Sequence, residues 1–124
     1  MSHEGKVHLT YVIVAPSDQV EEGDRIFRSH KAWMESTHHR EGAKALLSYE
    51  VSKALQLSNP MDTSSPPTGK TCFVLAEVYE SEAGVEDHFQ QAAASWEDFA
   101  ALGAWLGKCE IVGTPSAKII NSLW

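Results

Sequence analysis

Apolar residues recur with period two along Lys6–Ala15, with Val7, Leu9, Tyr11 and Ile13 on one side and His8, Thr10, Val12 and Val14 on the other. Both sides are largely apolar from Tyr11 onward, which predicts a strand covered on both faces. Pro16-Ser17 ends it, and Ser17 is the expected N-cap of a helix whose first turns carry Asp18, Glu21 and Glu22, where the helix dipole favours acids. That helix is predicted to run to about Thr37 on a seam of Val20, Gly23, Phe27, His30, Met34 and Thr37, widened by Ile26 and Trp33. Gly42 supplies the positive φ of the helix exit.

A second strand is predicted over Ala45–Leu57, and a loop over the Ser-, Pro- and Gly-rich Ser58–Lys70. Thr71–Tyr79 then reads as a buried strand that carries a carboxylate, Glu77, on the face of Phe73, Leu75 and Tyr79. A second helix opens at Ser81 on a seam of Val85, Phe89, Ala92, Trp96, Phe99, Leu102 and Leu106, with a break expected near Ser95. His88 is read as flanking this seam. Cys109–Val112 is a short strand, and Ala117–Trp124 a final strand or arm. The order β-α-β-β-α-β predicts an α+β fold: a ferredoxin-like βαββαβ sandwich, an antiparallel sheet with two helices on one face, formed by residues 1–124 as one domain. Two helices cover a single sheet face, so the other face calls for a partner, most simply a second copy of the chain in a homodimer.

Composition narrows the function classes. The chain has 124 residues, 43% hydrophobic, with a net charge of −7. An acidic surface repels phosphate backbones and anionic membranes, so no nucleic-acid and no membrane partner is expected. No apolar run approaches the roughly 18 residues of a membrane span, and the N-terminus lacks signal-peptide regions, which points to a cytoplasmic protein. Cys72 and Cys109 are too far apart for a CxxC motif and read as buried structural cysteines. HExxH, Gly-rich phosphate loops and GxSxG are missing, which sets aside zinc hydrolases, nucleotide users and serine esterases of the usual kinds. His38 and His39 point about 100° apart on a helix and are not expected to chelate one ion, so no metal is assigned.

The chemistry-bearing candidates are His30, His88 and Glu77. His30 sits between Phe27 and Met34 on the first helix seam, either as a core histidine bonded to a carbonyl or hydroxyl, or as a general base. A buried Glu77 needs a partner or a proton; it either orients a histidine or bonds a Ser or Tyr across the dimer. Tyr11, Phe27, Trp33, Met34, Tyr49, Phe89 and Trp96 are candidate pocket-lining residues for a flat ring, with aromatic core as their other reading.

The stretch Phe73-Val74-Leu75-Ala76-Glu77-Val78-Tyr79-Glu80-Ser81-Glu82-Ala83, followed by His88-Phe89, resembles the antibiotic-biosynthesis-monooxygenase-like group of the dimeric α+β barrel superfamily. The resemblance implies two ferredoxin-like protomers closing their sheets into one barrel, each with a pocket between sheet and helices. It implies a monooxygenase without metal, flavin or other cofactor, acting on a small phenolic, quinol or enolic substrate. Haem-degrading relatives carry an Asn on the first strand and a Trp in the strand-to-helix turn. This chain has neither, so haem degradation is not implied. A lyase, isomerase or cyclase on the same scaffold, and a small-molecule-binding module without turnover, stay open.

Overall fold

The computed structural model describes residues 2–124. Four strands, β1 (Val7–Ala15), β2 (Leu46–Leu57), β3 (Pro67–Tyr79) and β4 (Glu110–Lys118), form one antiparallel sheet in the order β2-β3-β1-β4. Three α-helices, α1 (Val20–Thr37), α2 (Glu82–Ser95) and α3 (Phe99–Leu106), complete an α+β fold. None of them is long and apolar enough to cross a membrane.

Alternation sets the faces. Leu9 and Ile13 of β1 and Phe73, Leu75, Glu77 and Tyr79 of β3 are buried toward the helices. Their neighbours Val12, Val14, Cys72 and Val74 point the other way and stay half-exposed. The seam of α1 is buried through Gly23, Ile26, Phe27, His30, Trp33 and Met34, as its periodicity predicts. Gly23 is there for close approach: a Cβ would stand 2.6 Å from the Trp105 ring and 2.8 Å from the Phe73 ring. Burying an aromatic the size of Trp105 removes about 150–250 Å² from water, on the order of 4–6 kcal/mol at about 25 cal/mol per Å².

Several boundaries differ from the sequence reading. Ser17 does not cap α1; Ser17–Gln19 form a single 3₁₀ turn after Pro16, and no side chain caps either segment. The expected loop Ser58–Lys70 shrinks to residues 58–66, because the hairpin ladder continues to Leu57↔Pro67. Pro67 is tolerated as the first residue of β3, and Gly69, at φ +93°, takes up the register shift between Leu55 and Leu57. The second helix is two helices, separated at residues 96–98. Its buried face also differs: Gly84, Val85, His88 and Ala92 are buried, whereas Phe89 and Phe99 are more than 40% exposed. Cys109 lies just before β4, and both cysteines are free and half-buried. Beyond Lys118 the tail continues outside any strand, anchored by Ile119, whose N–H donates to the Lys6 carbonyl at 2.8 Å. Gly42 at φ +85° turns the chain from α1 toward β2.

Candidate functional site

Glu77 is positioned by sheet register. It lies between Leu9 of β1 and Tyr49 of β2 on the helix-facing side, and it is fully buried. Tyr79, two residues on and on the same face, donates its hydroxyl to Glu77 Oε1 at 2.5 Å. The other oxygen, Oε2, is buried without a hydrogen-bond partner among the described residues. An orphaned carboxylate oxygen in an apolar interior is costly, and burial lifts the Glu77 carboxyl to about 7 against the opposing Tyr79 bond.

α1 and α2 bring His30 and His88 over this carboxyl. One ligating atom from each of His30, Glu77 and His88 lies within 4.8 Å of the others, and all three side chains are buried. Both imidazoles are fixed through one nitrogen. Nδ1 of His30 lies 2.9 Å from the Tyr49 hydroxyl, and Nδ1 of His88 lies 2.8 Å from Nε2 of His38. Nε2 of each ring has no hydrogen-bond partner among the described residues. Burial, reinforced by the neighbouring histidines, pushes His30 down to about 3 and His88 down to about 4, so both rings are neutral at physiological pH. Burial first, and the Glu77 charge second, raise the Tyr49 phenol well above its ordinary range.

The rings stand in an aromatic frame. Trp33 and Trp96 stack with centroids 5.7 Å apart, and the His30 centroid lies 4.9 Å from that of Trp96. Trp33 Nε1 donates to Ser95 Oγ, and Trp96 Nε1 donates to Ser29 Oγ, so neither indole N–H is left unpaired. A cavity of about 200 Å³ opens beside the histidines, between sheet and helices. Of the residues singled out from the sequence, Tyr11, Phe27, His30, His88, Phe89 and Trp96 line it. Met34 and Tyr49 instead line a more open cleft of about 380 Å³, together with His38 and His39. Trp33 stands behind the histidines, its centroid 5.7 Å from each.

His38 is the residue that sequence reasoning missed. It follows the last turn of α1, and its ring sits in the cluster because the cap position is extended, at ψ 148°. Periodicity carries no signal past a helix end. The only sequence hint was a histidine just after a helix that already carried His30. Its N–H···O accounting is complete: Nδ1 lies 3.0 Å from Thr37 Oγ1.

The site therefore combines neutral imidazoles, a buried carboxyl with one free oxygen and an apolar hollow. Such a set can accept a proton, hold a small flat molecule or ligate a cation. Comparison of the chain with models of protein families, with curated proteins and with solved structures finds no match.

Proposed function

We propose that the chain is an enzyme that removes a proton from a small phenolic, quinol or enolic ring and delivers the resulting anion to dioxygen, as a monooxygenase without flavin. The reading is supported above all by one observation: two imidazoles with unpartnered Nε2 atoms stand at the wall of an apolar cavity. His30 or His88 is the proton acceptor, and because burial leaves both rings weak bases, the acidic enols among these substrates are favoured over phenols. The substrate carbanion forms a C–O bond with dioxygen, and loss of water from the hydroperoxide leaves a carbonyl. One dioxygen is consumed, and the substrate is the only reductant.

Size limits the substrate. A cavity of about 150 Å³ holds benzene, so the about 200 Å³ here suits one ring with short substituents rather than a fused polycycle. The unit is read as a ferredoxin-like βαββαβ fold on the strength of its strand order, β2-β3-β1-β4. Its uncovered sheet face supports pairing with a second copy into a dimeric α+β barrel.

A panel of single-ring hydroquinones, catechols and cyclic 1,3-diones tests the reading. Turnover with oxygen uptake is expected for at least one compound. His30→Ala and His88→Ala should separate the base from its neighbour, the base variant losing about 10²–10⁴-fold in rate. Undiminished turnover in both variants removes the proposed role. Turnover without oxygen uptake replaces oxygenation by a lyase, isomerase or cyclase reaction.

A further inference from the structure

We infer that His30, Glu77 and His88 form a binding site for a single divalent first-row transition-metal ion. Each of the three side chains offers two ligating atoms, and in each case one is already engaged: His30 Nδ1 with Tyr49, His88 Nδ1 with His38, Glu77 Oε1 with Tyr79. The remaining atoms, Nε2, Nε2 and Oε2, have no hydrogen-bond partner among the described residues. Metal-ligating histidines characteristically hold their second ring nitrogen on a neighbouring group, which fixes tautomer and orientation. Here the carboxylate is held in the same way. Glu77, at 0% exposed, is the decisive member: a buried oxygen without a donor calls for a proton, a water or a cation, and the two free imidazole nitrogens close to it favour the cation.

The donor set selects the ion class. Two imidazoles and one carboxylate suit zinc or ferrous iron, and leave room for water or substrate as further ligands. Magnesium and calcium prefer all-oxygen shells and are disfavoured. At metal–ligand distances of about 2.0–2.2 Å the donor atoms stand about 3.3 Å apart in a tetrahedron. One ligating atom of each side chain already lies within 4.8 Å of the others, so binding requires these side chains to draw closer by at most about 1.5 Å.

The inference goes beyond the proton-transfer reading. A bound ion would take the Nε2 lone pairs, so a loaded protein would not use these rings as bases. His30 and His88 line the cavity and Glu77 does not, so a substrate there would approach the ion from the side of the two rings.

The test uses Co²⁺ alone, then Zn²⁺ alone, added to the intact chelator-treated protein without substrate. One equivalent of Co²⁺ per chain is expected, with visible d–d absorption that Zn²⁺ abolishes and paramagnetic shifts on the His30 and His88 rings. Glu77→Gln should lower the affinity more than about 100-fold, and Tyr79→Phe by about 10–100-fold. His39→Asn, which removes an exposed imidazole 3.6 Å from Asp87, should change nothing. Absence of stoichiometric binding overturns the inference, and so does binding that survives Glu77→Gln or vanishes in His39→Asn. If Glu77→Gln fails to fold by circular dichroism, the ring shifts in the unsubstituted protein decide: shifts confined to His38 and His39 overturn it. Since no substrate is present, a negative result leaves the oxygenase reading standing, and oxygen uptake by chelator-treated protein tests that reading separately.

Discussion

Glu77 and Tyr79 stand two residues apart on one strand, and their side chains meet because period-two alternation puts both on the helix-facing side. The phenol is the only hydrogen-bond donor the carboxyl has among the described residues. Tyr79→Phe keeps the ring and removes that donor, leaving both carboxylate oxygens unpaired in the interior. The expected loss is about 1–3 kcal/mol, read from urea unfolding of the metal-free protein. An unchanged midpoint would mean that the bond contributes nothing. The tyrosine itself responds to the same contact: burial, followed by the Glu77 charge, holds its phenol far above the ordinary range. The sequence pointed to Glu77 as a misfit in an apolar strand. It placed Tyr79 on the same face, but the tyrosine partner it offered for the carboxyl lay across a dimer rather than two residues along the strand.

At the scale of elements, α1 is tied to the α2–α3 junction through one carboxylate. Asp98 accepts from Ser29 Oγ at 2.5 Å and from Arg25 Nη1 at 3.1 Å, and Ser29 in turn accepts from Trp96 Nε1. The Ser29 and Arg25 bonds hold the Asp98 carboxyl below its ordinary 3.8. A carboxyl depressed in the folded state favours folding above its unfolded pKa, and that contribution is lost as pH falls from about 3.8 through the folded value. Asp98→Asn should therefore be less stable at neutral pH and lose less on acidification. Melting temperatures taken across the acid range check this, and parallel curves for the two proteins would contradict it.

What was legible in the sequence follows the same scale. The seam of α1 and the strand around Glu77 were readable because their periodicities are long and uninterrupted. The face of α2 was misread because Phe89 outweighs His88 as a hydrophobe, yet tertiary packing turned the histidine inward. Trp105 was missed because α3 starts afresh after residues 96–98, which resets the helical phase. The early start of β3 was hidden by proline and glycine, which usually mark loops.

At the scale of the whole molecule, the helices leave one side of the sheet uncovered. Cross-strand register lines up Val112, Val12 and Val74 in one row on that side, and Val14, Cys72 and Ala54 in the next. Val112 is 69% exposed in the isolated chain. Such rows favour burial against a second copy. The chain is expected to sediment as a dimer, and Val74→Asp to shift it toward monomer while its circular dichroism is unchanged. A monomeric unsubstituted protein would refute this pairing. The aromatic frame has an optical consequence as well. With Trp33 and Trp96 stacked at a 22° interplanar angle, light absorbed by one indole is shared with the other, so the arrangement around the histidines is written into the near-ultraviolet spectrum of the chain. Trp124, far out in solvent at 88% exposed, adds only a featureless background to it.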